Sequence, residues 1–263
     1  MCGIAGYSLD SDSCVNRTLA AQALLAGIAE RGADAAGYAH RGSAGASVTI
    51  HKQRSGASAL LDDVALPPGV TEALVHVRDY TKGRPTILAN NHPIRHGSVV
   101  GVHNGVIAND DEIFARYGID RAESGMTVDS EAIFALVQRS GADHSTLEEL
   151  RGTMATAWID ERIPHGLYLA RGVARPLWIG RARRELFFAS TKAALEVVEA
   201  TLRLTLRKHE VAEGRLLHID AGTILAEKRF SPDTSYRTST TRQPVAAPHE
   251  GVSCLAKLAM LAV

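Results

Sequence analysis

The chain has 263 residues, and its 29 lysines and arginines are balanced by 29 aspartates and glutamates, so the formal net charge is zero. That balance leaves no electrostatic footprint for nucleic acid or an acidic membrane surface, which points to a small molecule or a protein as ligand. Three cysteines, Cys2, Cys14 and Cys254, have neither metal-ligand spacing nor the even count of a disulfide framework, and they suit a reducing, cytoplasmic compartment. No apolar run is long enough to span a bilayer, and the N-terminus lacks the basic region and extended apolar region of a signal peptide.

Residues 2–8 read as a short buried strand and 16–30 as a helix carrying Leu19, Leu24, Leu25 and Ile28, stopped at Arg31-Gly32. Residues 38–41 and 47–54 read as a hairpin, and 60–71 as a loop around Pro67-Pro68-Gly69. A strand is expected at 72–78, a Gly- and Pro-bearing loop at 79–93, and a strand at 98–103 that ends in Asn104-Gly105, a tight-turn dipeptide. Helices follow at 110–117 and 129–138, the second with Ile133, Phe134 and Val137 on one face.

From Thr153 the pattern changes to short strands at 153–160, 166–171, 177–179 and 185–189, a helix at 191–200, then strands at 204–209, 215–220 and 223–226. The first of these, with Met154, Ala155, Ala157, Trp158 and Ile159, is apolar on both faces, so it needs a layer on either side. Two packed antiparallel sheets flanked by helices satisfy that demand. After Phe230 the composition shifts to Ser, Thr, Pro and charge, so the expected division is a domain at 1–230 and a tail at 231–263 ending in a short apolar segment. That last segment can dock back on the body, meet a partner or stay disordered; sequence leaves the three open.

Cys2 becomes the first residue if Met1 is removed, and the small run Cys2-Gly3-Ile4-Ala5-Gly6 favours removal. A thiol and an α-amine would then share one carbon. The thiolate is the reactive form of cysteine, and an α-amine with a pKa near ~7.7–8.0 can take its proton close to neutral pH, so one residue supplies nucleophile and base. Taken alone, Cys2 reads more readily as a small hydrophobe opening a buried strand.

Further segments line up with it in chain order. They are Arg31-Gly32-Ala33-Asp34-Ala35-Ala36-Gly37, His76-Val77-Arg78 with Thr81 and Gly83, Asn91-His92-Pro93, His103-Asn104-Gly105, and Val128-Asp129-Ser130-Glu131. Together with the N-terminal run, these resemble the motifs of class II glutamine amidotransferases, the N-terminal-nucleophile glutaminase domains found in glucosamine-6-phosphate synthase and glutamine phosphoribosylpyrophosphate amidotransferase. The likeness runs from Cys2 to about Gly222. It implies an α+β fold, a four-layer αββα sandwich with two antiparallel sheets of the N-terminal-nucleophile hydrolase type.

The resemblance implies a role for each matched residue. Cys2 attacks the side-chain amide of glutamine, and Asn104 with the Gly105 N–H holds the oxyanion. Arg78 clamps the substrate α-carboxylate and Asp129 meets the α-ammonium; Thr81 and His92 line the pocket, and Arg31 braces the nucleophile region. The chemistry agrees, since a tetrahedral oxyanion needs fixed donors and an amino-acid ligand needs one cation and one anion at its far end. In isolation Arg78 is a surface arginine and Asp129 a helix-start aspartate. His92, His96 and His103 lack a carboxylate companion for a metal, so no metal and no cofactor are expected.

The loop after Arg78 departs from the family pattern, reading Asp79-Tyr80-Thr81-Lys82. Too little chain follows Phe230 for an acceptor domain, so the expected partner is a separate ammonia-accepting synthase subunit. The expected activity is hydrolysis of glutamine to glutamate and ammonia. The alternatives are a stand-alone hydrolase of another γ-glutamyl amide and a catalytically silent glutamine-binding subunit.

Overall fold

The computed structural model describes residues 2–42, 47–164, 166–237 and 246–261. Met1 and residues 238–245 of the expected tail lie outside the described residues. The chain begins with β1 (Gly3–Leu9), α1 (Arg17–Ile28), β2 (Ala35–Gly42), β3 (Thr49–Gln53), α2 (Ala57–Leu60) and β4 (Val70–Arg78). It continues through β5 (Ile94–His96), β6 (Val99–Ile107), α3 (Asp110–Tyr117), α4 (Glu131–Ser140), α5 (His144–Leu147) and β7 (Gly152–Asp160). The remainder is β8 (Leu167–Arg171), β9 (Trp178–Arg181), β10 (Glu185–Ala189), α6 (Lys192–Leu202), β11 (Arg207–Glu210), β12 (Arg215–Asp220), β13 (Thr223–Arg229) and α7 (Pro248–Leu261).

The strands form two antiparallel sheets, ordered β11-β9-β10-β1-β4-β2-β3 and β13-β12-β8-β7-β6-β5. Three apolar layers follow from the period-2 alternation of side chains along each central strand. On β1, Ala5, Tyr7 and Leu9 join the core under α1, α6 and α7, whereas Ile4 points between the sheets. On β7, Met154 and Trp158 face the layer of α3, α4 and α5, whereas Ala155, Ala157 and Ile159 meet the first sheet. The doubly apolar β7 therefore has a layer on both sides, and the molecule is the four-layer αββα sandwich.

Local chemistry fixes the helix ends. The Asn16 side chain accepts from the Leu19 N–H at 3.0 Å to start α1, and Thr191 does the same for Ala194 at 3.2 Å to start α6. In α3 three acids, Asp110, Asp111 and Glu112, occupy the first turn and Arg116 the last, matching the helix dipole. The terminal segment forms α7, which seats Cys254 and Leu258 in the core beside α1, while Glu250 accepts from the Ser58 N–H at 2.7 Å and from its hydroxyl at 3.0 Å.

Two local expectations are corrected. Asn104-Gly105 is not a tight turn: β6 runs through it to Ile107, with Asn104 opposite Ala155 and Gly105 opposite Met154, because β7 continues the hydrogen-bond ladder past the point where a turn was expected. The loop expected at 60–71 begins inside a helical turn, since Ala57, Leu60 and Leu61 are drawn into the core under α1. The short β5 and α5 had no signal of their own, being three and four residues long.

The sheets are tied at one edge by a buried ion pair. Arg41 on β2 stands opposite Glu72 on β4, and their side chains meet at 2.6–2.7 Å. The same guanidinium donates to the carbonyls of Asp160 at 3.1 Å and Ile163 at 2.8 Å, which belong to the other sheet and the turn after it. Glu72→Ala is expected to cost about 3–5 kcal/mol, because it leaves a buried guanidinium without its counter-charge. Denaturant midpoints would show this, with a Glu72→Leu, Arg41→Met double variant recovering much of the loss.

Candidate active site

Cys2 lies immediately before β1, between two strands that hold it in place. Ser190, just after β10, accepts from the Ile4 N–H at 2.9 Å, and its own N–H donates to the Ile4 carbonyl at 2.9 Å. On the other side Gly3 pairs with Val77, which brings the end of β4 and therefore Arg78 alongside Cys2. The thiol sits 3.5 Å from the Asp79 carbonyl. Burial pushes the thiol pKa up to about 11, against the opposing pull of the Arg78 and Arg31 guanidinium groups, so at neutral pH the group is a thiol that needs a base.

The Arg31 to Gly37 segment is a brace, and each part has a physical task. Arg31 Nε donates to the Cys2 carbonyl at 3.0 Å. At Gly32 any Cβ would run into the Arg78 carbonyl, so only glycine lets the two backbones approach. The Asp34 N–H donates to the Arg78 carbonyl at 3.0 Å, and its carboxylate accepts from the Tyr80 N–H at 2.9 Å. This segment thus holds both Cys2 and the loop that follows Arg78.

Cys2, Arg78, Thr81, His92, Gly105 and Asp129 line one cleft, together with Tyr80, Lys82, His103, Val128 and Ser130. Asn104 precedes Gly105 on β6, fully buried, and neither its amide nitrogen nor its oxygen has a hydrogen-bond partner among the described residues. Gly105 has φ +150, and a Cβ there would collide with the Thr153 carbonyl, so the position demands glycine. Asp129, just before α4, accepts from the Ile107 N–H at 2.7 Å; burial raises its pKa above the usual carboxylate value, opposed by that hydrogen bond.

Arg78 is held by the loop itself. It donates to Asn91 Oδ1 at 2.5 Å, to the Lys82 carbonyl at 2.8 Å and to the Gly83 carbonyl. Lys82 reaches across to α3, meeting Asp110 at 2.6 Å and Asp111 at 2.9 Å. The space left between these side chains is small, about 10 Å3, on the order of the 10–15 Å3 that one water molecule needs.

Sequence reasoning missed the surroundings of this cleft. Asn90 accepts from the N–H groups of Thr127 at 2.7 Å and Val128 at 3.0 Å, joining the loop before β5 to the segment that carries Asp129. The adjacent Asn90-Asn91 pair was the available signal, but only tertiary contact tells which Asn binds what. His76, His92 and His103 form a buried group, with the His76 and His92 rings stacked at 4.1 Å. His103 accepts from the Ser130 hydroxyl at its Nδ1, 2.8 Å away, and faces the Thr153 carbonyl with Nε2 at 3.3 Å, which defines the neutral Nε2–H form. Both nitrogens of His92 are buried without a partner among the described residues.

The chain is similar to known proteins in sequence and in fold. Residues 85–197 match the family profile of the glutamine amidotransferase domain. The chain is 30% identical over 208 residues to the glutamine–fructose-6-phosphate aminotransferase of Campylobacter jejuni, covering 74% of this chain and 33% of that protein. It is 28% identical over 250 residues to the amidophosphoribosyltransferase of Mycobacterium tuberculosis, covering 88% of this chain and 45% of that one. The solved glutamine phosphoribosylpyrophosphate amidotransferase of B. subtilis superposes with a TM-score of 0.67 at 23% identity, over 87% of this chain and 49% of that chain. This chain therefore spans between a third and a half of the length of these relatives. Its layered fold and its sequence matches identify it as carrying a glutamine amidotransferase domain of class II, with the N-terminal-nucleophile hydrolase fold.

Proposed function

We propose that the protein hydrolyses glutamine to glutamate and ammonia through a thioester on Cys2, and that the ammonia passes to a synthase, fused or separate. The observation that supports it most is the cleft that joins Cys2 to Arg78, Asp129 and Gly105, beside an Asn104 amide with both polar atoms unpartnered. A buried amide left without hydrogen bonds costs about 1–3 kcal/mol, and an incoming oxyanion would satisfy its N–H.

In this reading Met1 is removed and the Cys2 α-amine takes the thiol proton as sulfur attacks the amide carbon. The oxyanion of the tetrahedral intermediate accepts from Asn104 Nδ2 and the Gly105 N–H. Its collapse breaks the C–N bond, the amine returns the proton to nitrogen, and ammonia leaves. Water then attacks the thioester by the same route, releasing glutamate and the thiol. Arg78 turns from the loop carbonyls to the substrate carboxylate, and Asp129 receives the ammonium. Thr81 and His92 add polar contacts to the substrate, and we assign the reaction to the cytoplasm.

The direct test is intact mass after treatment with a γ-electrophilic glutamine analogue. A protein lacking Met1 and carrying one adduct on Cys2 is expected; turnover with Met1 retained, or an adduct on Cys14 or Cys254 alone, would refute the mechanism. Asn104→Ala is expected to lower kcat for glutamine about 10²–10³-fold with little change in KM, since the donor acts on charge that exists only in the transition state. Steady-state kinetics at saturating glutamine would check this.

A further inference from the structure

At the far end of the first sheet from Cys2 lies an open cavity of about 550 Å3 lined by Arg181, Ala182, Arg207 and His209. Arg181 on β9 and Arg207 on β11 are directly opposite each other in the antiparallel ladder, and His209 stands opposite Ile179 on the same face. Ile179 belongs to the core between the sheets, so these three side chains project from the rim of that core, toward β13 of the second sheet. Like charges placed opposite on neighbouring strands destabilise a sheet, so the pair calls for a counter-charge.

No carboxylate supplies one. Neither Arg181 nor Arg207 makes an ion pair or side-chain hydrogen bond among the described residues, and the nearby acids are committed elsewhere. Glu210 pairs with Arg171 at 2.8 Å, Glu227 on β13 with Arg215 at 3.1 Å, and Glu199 with Lys208. The His209 pKa is lowered by burial and by the two arginines, against the pull of Glu227. The cavity lies within the size range of small-molecule sites, and paired guanidinium groups suit a phosphate, which offers them parallel oxygens.

We propose that this cavity binds the phosphate group of a small phosphorylated molecule, held between Arg181 and Arg207 with His209 beside it. The site is separate from the glutamine cleft. Arg181 pairs with Leu186, which pairs with Ser8, six residues along β1 from Cys2 and therefore roughly 20 Å away by strand rise alone.

Titration calorimetry with glycerol phosphate and with inorganic phosphate, against sodium chloride of equal ionic strength, tests the proposal. Saturable binding is expected, weakened about tenfold or more by Arg181→Gln or Arg207→Gln and unchanged by Arg183→Gln, which lies outside the cavity. A tighter ester shows that the organic part fills the cavity; equal affinities identify inorganic phosphate as the ligand; both support the site. Binding of neither probe, or an affinity unchanged in the double arginine variant, overturns it. So does a variant that only aggregates while the parent binds no phosphate, because the arginines would then merely guard a sheet edge. Near-UV circular dichroism of each variant separates lost binding from lost folding.

Discussion

Cys2→Ala is expected to abolish glutamine hydrolysis, by at least about a thousandfold, in a protein that still folds and still binds glutamine. The size of the effect follows from the chemistry: without sulfur there is no thioester, and the oxyanion donors and binding contacts alone cannot replace a nucleophile. Survival of the fold follows from the surroundings. Cys2 stands outside β1, and its sulfur is held weakly, at 3.5 Å from the Asp79 carbonyl, whereas β1 is anchored by Ser190 and by its pairing with β4 and β10. Glutamine-dependent thermal shift in the variant, beside a glutamate assay, measures both halves. Undiminished turnover would sink the thioester mechanism, and loss of the shift together with turnover would mean that Cys2 contributes to binding as well.

Acid should destabilise the protein steeply, through His76, His92 and His103. All three are buried with pKa values pushed below the ordinary 6.5 by desolvation; Arg78 and neighbouring histidines add to this at His76 and His92, and His103 falls to about 3. In the unfolded chain each would titrate near ~6.5. A group with a depressed folded pKa and a positive charged form binds more protons when unfolded, so stability is lost as pH falls below about 6.5 and goes on falling until the folded pKa is reached. At pH 5 His103, whose folded value is about 3, costs about 2 kcal/mol, from roughly 1.5 pH units at 1.36 kcal/mol each, and His76 and His92 add to the loss in the same direction. Urea midpoints should therefore drop between pH 7.5 and 5. A flat profile across that range would show that the group opens to water or shares a proton before unfolding.

The two effects touch neighbouring residues but differ in kind. Losing the thiol removes a reacting atom and leaves packing intact. Protonating the histidines leaves the thiol in place and attacks the wall behind it, since His76 donates to the His103 carbonyl at 3.2 Å and His103 is adjacent to Asn104. An acid-induced fall in activity should thus have two parts, protonation of the α-amine below its pKa near ~7.7–8.0 and unfolding below about 6.5.

Much of this protein could be read from its residues because its signals are local. The apolar residues on both faces of β7 demanded two apolar layers and found them in the helix-facing and inter-sheet cores. The helix at 110–117 appeared at those bounds because its acidic first turn and the following Gly118 mark both ends. Asn104-Gly105 was misread as a turn for the opposite reason: that dipeptide has a strong local preference, and a neighbouring strand overrode it. The partners of Arg78 were also beyond sequence, since Asn91, Lys82 and Gly83 reach it only when the loop folds back over the end of β4.

The sequence by itself determined the layered fold and the order of motifs behind Cys2, because apolar periodicity and residue type act over short stretches of chain. Tertiary structure alone decided that Gly32 lies against Arg78, that Asn104 keeps its amide unpartnered, that three histidines stay neutral in one buried group, and that Arg181 meets Arg207 without an acid between them. Each of these depends on strand register and on desolvation, which arise only when distant segments pack together and exclude water.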